Sequence, residues 1–427
     1  MKRKICLHAL SVKHQNLLLG LVRRLLPACL SKYKVKDKYL ESGDFYKYRE
    51  ARFKPKFVPG VVISCTYGSM SVNDRIFPVA DVVVDFENSM DGAKAFAKEF
   101  IAKLLSGKNQ FVAVEPSLKN RAAMLRGSLN VEQLDYYDAN RAASLIYTHV
   151  PWQIYEINRL WQDVLTNEED KPVIRQLRVK IRRLRSLLAL LTPLFKEEEI
   201  NAWLKVWKAA FDSLAIVREL DVALLNCERI ARRHEENRGV PILEKILTAK
   251  RQAAVQVYLN NVQLNVITHK NVDFLFWLYS TELTELGTAS SLQDFLNLRF
   301  TKWTGKLLVL REKYPDATDM TSLHKIRIKI KRFRYALLSI PELKKSLELL
   351  RALKNLQDSL GFLHDDFVGE ALLDNLLEEF PGNKELHLEV ALFKGWDKGK
   401  AESTLENFPI LWDNFCSLLR VWQKENL

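Results

Sequence analysis

Cysteine is scarce in this chain, and the five residues present (Cys6, Cys29, Cys65, Cys227 and Cys416) show no CxxC or other metal-ligand spacing. An odd, scattered set argues against a disulfide framework and reads as reduced thiols in a cytosolic protein. Long apolar runs are missing too, since the oiliest stretch, 17–30, is cut by Arg23 and Arg24 and is too short to span a bilayer. The opening MKRKICLHALSVKHQ is basic, but His8, Lys13 and His14 interrupt its apolar run before signal-peptide length, so no signal peptide is expected. No Walker A loop, GxGxxG, HExxH or GxSxG occurs. Nucleotide-loop enzymes, zinc proteases and serine hydrolases are therefore left without a motif.

The most telling absence is of acid. No Asp or Glu occurs from Lys171 to Phe195 or from Met320 to Pro341, and these segments carry one helical pattern written twice at an offset of 149 residues. Ile174, Leu177, Ile181, Leu184, Leu188 and Leu191 fall on Leu323, Ile326, Ile330, Phe333, Leu337 and Ile340, a 3/4 spacing that makes one helix face apolar. In the same register Arg178, Lys180, Arg182, Arg183 and Arg185 fall on Arg327, Lys329, Lys331, Arg332 and Arg334. At 100° per residue, Arg175, Arg178, Arg182 and Arg185 lie within a stripe of roughly 80°, matched by His324, Arg327, Lys331 and Arg334. Stacked like charges without acids destabilise a helix by a few tenths of a kcal/mol per pair. A cost met twice in register points to an anionic ligand, against the alternative of a solvated basic face answered by acids on neighbouring helices.

The whole chain has 65 Lys and Arg against 52 Asp and Glu, a net charge of +13. That suits nucleic acid, a membrane surface or polyphosphate, and sign alone does not choose among them. A length of 427 residues implies two or three domains. Up to about residue 135 the texture is mixed, with strand-like runs VVISCTY (61–67) and FPVADVVVDF (77–86) broken by Pro59, Gly60 and Gly68. From about Asp138, amphipathic segments follow one another, separated by Pro193, Gly239 with Pro241, Pro315, Pro341, and Pro381 with Gly382. The repeat divides this part near 138–285 and 286–425 and predicts two related bundles of about four helices. It continues in FDSLAIVRELDV (211–222) and QDSLGFLHDDFV (357–368), which set Asp212 on Asp358 and Arg218 on His364. Trp203, Trp207, Phe211 and Leu214 follow helical spacing and are expected in the core.

At these residues the sequence resembles the CHAD family, the conserved histidine α-helical domain, whose signature helix runs H-x-x-R-[VI]-x-x-[RK]-R-[LF]-R once in each half. His324 to Arg334 match it throughout, and in the first copy Arg175 replaces the histidine ahead of Arg178, Val179, Arg182, Arg183, Leu184 and Arg185. RELDV at 218–222 resembles the family's RD-x-DV segment, with Glu219 for the usual Asp. The resemblance spans about 138–425. It implies a basic pore between two four-helix bundles that binds inorganic polyphosphate, with Arg175, Arg178, Arg182, Arg183, Arg185, Arg218, His324, Arg327, Lys331, Arg332, Arg334, Tyr335 and His364 as binding residues. Physical chemistry concurs, because a flexible polymer of phosphates without bases asks mainly for guanidinium forks on rigid elements. His324 is expected in the first turn after a Thr321 or Ser322 cap, where free backbone N–H groups attract an anion.

Residues 1–135 resemble the CYTH family, the triphosphate-tunnel fold. IFPVADVVVDFENSMDGAKAFAKEFIAKLL looks like its late strand and following helix, and VEPSLKNRAAML (114–125) like its SKxxRGYxL element. The resemblance implies an α+β domain built on a partial, degenerate antiparallel β barrel. Where the family's ExExK metal strand should stand, Lys4-Ile5-Cys6-Leu7-His8 has neither glutamate nor the lysine. Alternation still sets the metal candidates Asp81, Asp85 and Glu87 on one strand face, opposite Val82, Val84 and Phe86. The competing reading of these acids is a solvent-facing strand edge.

The leading expectation is a non-catalytic, cytoplasmic, granule-associated polyphosphate binder, without cofactor or membrane contact and with protein partners undefined. The alternative is a Mg²⁺- or Mn²⁺-dependent inorganic triphosphatase. A nucleic-acid binder is disfavoured, since base readout needs side chains at base edges or stacking aromatics, and the stripes offer only Tyr335.

Overall fold

A computed structural model of the chain describes residues 2–10, 15–26, 29–39, 45–72, 75–107, 111–114, 117, 118, 121, 140–166, 171–233, 240–261, 264–314, 319–340, 343 and 346–426. Lys13, His14, Gly239, Pro315, Pro341 and most of segment 114–125 lie outside them. The chain forms two compact units, one of Met1–Val173, Pro193–Trp203 and Asn261–Ala289, the other of Ile174–Thr192, Leu204–Asn260 and Ser290–Leu427.

The first unit holds β1 (Lys2–Ala9), α1 (Gln15–Leu25), β2 (Cys29–Tyr39), β3 (Phe45–Pro55), β4 (Val61–Val72), β5 (Arg75–Glu87), α2 (Asp91–Leu105) and β6 (Phe111–Val114). Its strands form one antiparallel sheet in the order β2-β3-β4-β5-β1-β6, and no pairing among the described residues closes β6 on β2. The expected strands at 61–67 and 77–86 lie within β4 and β5. Gly68 is required where β3 meets β4, because a Cβ there would stand 2.0 Å from the Lys47 carbonyl oxygen.

Next come α3 (Ala143–Tyr147) and α4 (His149–Thr166), and later α9 (Leu264–Ser280) and α10 (Glu285–Ala289), all in this same unit. Helices α4 and α9 cover the end strand β6 and answer its backbone. The Asn158 amide donates to the Ala113 carbonyl at 3.1 Å and the Thr268 hydroxyl to the Phe111 carbonyl at 2.7 Å. An edge strand that would otherwise present open acceptors is thereby closed off.

The second unit is helical: most of α5 (Lys171–Leu191), the end of α6 (Glu197–Asp212), α7 (Ala215–Arg233), α8 (Pro241–Asn261), α11 (Leu292–Lys313), α12 (Met320–Ser339), α13 (Leu347–Glu379) and α14 (Lys384–Asn426). Four of these starts are capped by the side chain before the first turn, the last by Asn383, which accepts from the Leu386 N–H at 3.0 Å. Ser291, Asp319 and Ser346 accept from the backbone N–H groups of Asp294, Ser322 and Leu349 at 3.1, 2.9 and 3.0 Å. The α12 cap is thus Asp319 and not Thr321 or Ser322, because the carboxylate one residue ahead of Met320 reaches the orphan N–H first. Every apolar position of the repeat is buried on both α5 and α12. Each fully buried Leu or Ile contributes roughly 1.5–3 kcal/mol, so the two helices are held by the face that leaves their basic stripes turned elsewhere.

Candidate anion-binding site

Three guanidiniums of α5 gather on one ring. Arg178, Arg182 and Arg185 lie 4.1, 4.9 and 5.5 Å from the Phe211 centroid at the end of α6, and Arg178 also donates to the Phe211 carbonyl at 3.0 Å. The electron-rich ring face offsets part of the repulsion among them. The stripe is further steadied by Arg299 of α11. Its guanidinium is buried and donates to the Leu190 and Ala189 carbonyls at 2.8 and 2.9 Å, closing the C-terminal end of α5.

The second stripe meets the first through side chains. Arg182 donates to the Tyr335 hydroxyl of α12 at 3.5 Å. Arg218 of α7 and Arg327 of α12 both face Asp365 of α13, at 3.4 and 3.8 Å, one on each carboxylate oxygen. The rings of His324 and His364 stand 5.4 Å apart.

Positive charge in this cluster exceeds what the protein supplies to neutralise it. Burial, then Arg182 and Arg218, hold Arg178 below the ordinary guanidinium value, at about 10. Arg327 reaches about 10 through burial and the neighbouring Arg182 and Arg218, against the pull of Asp365. Lys331 is driven down to about 6 by burial and then by Arg327, Arg182 and Arg218. His364 falls to about 4 through burial and Arg327. Among the described residues, the buried Nε groups of Arg183, Arg185, Arg327 and Arg334 have no hydrogen-bond partner. Desolvated cations with donors left over are costly in a finished core, which makes the cluster a candidate anion site.

The repeat also holds in the contacts. The α5 residue Arg185 lies over Phe211, and its counterpart Arg334 donates to Gln357, the residue aligned with Phe211, at 2.9 Å. Arg178 is influenced by Glu219, as its counterpart Arg327 is by Asp365, the residue aligned with Glu219. The copies differ in backbone as well as in side chains: α6 ends at Asp212 before α7 starts at Ala215, whereas α13 runs unbroken through the matching positions.

Of the residues read from sequence, Arg178, Arg182, Arg185, Arg218, Arg327, Lys331, Tyr335, His324 and His364 converge. Arg334 stands beside them over Tyr335, 5.9 Å from its centroid. Arg175 is exposed and acts on Arg218, while Arg332 is exposed and acts on Arg185. No hydrogen bond, ion pair or ring contact among the described residues joins Arg183 to the group. Trp207 and Leu214 are buried as expected, whereas Trp203 and Phe211 are only partly buried and Phe211 faces cations. Phe211, Gln357 and Asp365 were not legible as site residues. The signal that bears on them is the alignment of 211–222 with 357–368, which sets two of the three in matching places.

The metal candidates of the first unit are engaged otherwise. Strand β5 lies between β4 and β1, so the strand-edge reading of its acids fails, and Asp81 is buried. Its carboxylate is bound by Arg121 at 3.0 Å and His8 at 2.8 Å. Burial pushes its pKa up, but Arg121 and His8 outweigh burial and hold it below the usual carboxylate range. Asp85 faces Lys4 at 3.9 Å, and Glu87 pairs in register with Lys2. Among the described residues no group of three or more His, Cys, Asp or Glu is arranged to hold a metal ion.

The CHAD domain model matches residues 153–374, a span that contains both signature helices. Among solved structures, PptA from Streptomyces chartreusis shares 15% identity at a TM-score of 0.50, covering 64% of this chain and 99% of its own, which shows a common fold. The CHAD domain from the plant Ricinus communis shares 24% identity at a TM-score of 0.49, covering 66% of this chain and 95% of its own. No curated protein matches the chain. No described helix is long and apolar enough to cross a membrane. With its family model spanning more than half of its length, the chain belongs to the CHAD domain family.

Proposed function

We propose that the helical unit binds inorganic polyphosphate along the paired basic stripes of α5 and α12. One observation carries this reading: two acid-free helices bring Arg178, Arg182, Arg327 and Lys331 together with Arg218 in a half-buried cluster whose charge the neighbouring acids leave unbalanced. Polyphosphate offers closely spaced oxyanions and no bases, which matches guanidinium forks on rigid helices and asks for no stacking platform. The pore between the helical bundles would be the channel for the polymer, and the module would act without catalysis in the cytoplasm, at polyphosphate granules. The sheet-bearing domain, approximately residues 1–135, would serve as a scaffold or interaction surface.

The test is a titration of the intact protein with long-chain polyphosphate, tripolyphosphate and RNA at two salt concentrations, with and without Mn²⁺. The reading expects long polyphosphate to bind most tightly, with affinity falling as salt rises and indifferent to Mn²⁺. Preference for RNA, or metal-dependent phosphate release from tripolyphosphate, would replace it.

A further inference from the structure

We infer that Asp365 is a resident counter-anion, seated where the first phosphate of a ligand must enter, and that displacing it makes the site select long polyanions over short ones. This inference rests on the polyphosphate reading and adds a specificity-determining residue to it.

The geometry is that of a phosphate stand-in. Two carboxylate oxygens each face a different guanidinium, Oδ2 toward Arg218 and Oδ1 toward Arg327, as two oxygens of a bridging phosphate would. The contacts are long for charge-assisted bonds, which close to roughly 2.7–2.9 Å when formed fully. Asp365 is the acid that both forks contact among the described residues, and the buried Nε of Arg327 has no hydrogen-bond partner among them. Asp365 is also about a third exposed, so its side chain has room to withdraw to water. Glu219 adds a second carboxylate nearby, its pKa pushed up by burial and then by Asp365 against the pull of Arg178.

Selectivity follows from competition. A short anion entering between Arg218 and Arg327 gives up to the carboxylate much of what it gains, because one negative group replaces another. A long polymer reaches beyond the seat to Arg182 and Arg334, which have no ion pair among the described residues, and to Arg185, whose nearby acid Asp212 is already paired with Lys208. Asp365 thus sets a threshold that only a ligand of several phosphates clears.

The experiment compares wild type, Asp365→Asn and Asp365→Glu for binding of tripolyphosphate and of long-chain polyphosphate at one salt concentration. Asp365→Asn should tighten tripolyphosphate binding about tenfold, the worth of one charge-assisted contact, and change long-chain binding much less. Asp365→Glu should keep the wild-type ratio. A ratio unchanged in Asp365→Asn, or equal weakening of both probes, would overturn the inference. So would failure of Asp365→Asn to fold, which would assign the carboxylate to holding α7, α12 and α13 together. Wild type that binds neither probe would instead remove the polyphosphate reading beneath it.

Discussion

Each unit of this molecule buries charge, and the two do so in opposite ways. In the sheet unit, Asp81, Arg121 and His8 form a closed set in which every charge has its partner within 3.0 Å. In the helical unit, arginines and Lys331 crowd around Asp365 and Glu219 with Asp212 and Asp221 beside them, and several guanidinium nitrogens have no hydrogen-bond partner among the described residues. The first arrangement satisfies itself. On the function proposed above, the second is complete only when something anionic arrives, and the comparison would then separate a charge that serves the fold from a charge that serves a ligand.

Breaking the balanced set should give the largest effect. Asp81→Asn leaves the Arg121 guanidinium buried without its counter-charge and should cost about 3–5 kcal/mol of stability, read by denaturant unfolding. The sign of its pH dependence also follows. A carboxylate held below its ordinary value contributes stability that is present at neutral pH and lost as pH falls through the folded-state value. Wild type should lose that contribution in acid, and the variant should not have it to lose. Equal stability of the two proteins at neutral pH would show the pair to be incidental.

The unbalanced cluster should respond to pH with the same sign but in a higher window. Lys331 sits at about 6 against an ordinary 10.5. Without ligand, this depressed value makes stability rise with pH between those limits, because the unfolded chain still binds the proton that the fold refuses. A bound polyanion restores the proton, so binding should take one up. Affinity should be greatest near pH 6 and fall with rising pH, by no more than about one decade per unit for a single proton. Lys331→Met should flatten that slope, and calorimetry in buffers of different ionisation enthalpy would read the proton directly. A wild-type affinity independent of pH from 6 to 9 would contradict the assignment.

The smallest effect sharpens the comparison at Phe211. Replacing the ring by leucine keeps every charge but removes the face on which Arg178, Arg182 and Arg185 lie. Polyphosphate affinity should fall by about 1 kcal/mol, roughly fivefold, with the salt dependence preserved. A change in salt slope instead would mean that the arginines themselves had left the site.

How much of this was legible depended on range. Helical periodicity is a local property, so Ile174 to Leu191 and Leu323 to Ile340 disclosed both the buried face and the basic stripe. The repeat told that α5 and α12 do the same job. What periodicity could not disclose was which side chains the stripes meet, since Phe211 and Asp365 reach them through tertiary packing. An aromatic at helical spacing reads as core, and Phe211 sits at the end of α6, where the helix stops and the ring turns to the arginines. The acids of β5 were misplaced for a related reason. Alternation sets Asp81 on a face, but strand order decides that the face is internal and that His8 and Arg121 wait there. The cap of α12 lay two to three residues closer to the loop than expected, because the Asp319 carboxylate reaches the Ser322 N–H.

The most direct test of the central claim is the thermal stability of the intact protein with and without long-chain polyphosphate at low salt, for wild type and for Arg178→Ala combined with Arg327→Ala. A ligand that binds only the folded state stabilises it in proportion to its affinity. The account predicts that polyphosphate raises the wild-type melting temperature by several degrees, and that the double variant, short of two contacts worth about 1.5–3 kcal/mol each, shows little or no rise. The same rise in both proteins, or none in wild type, would contradict it.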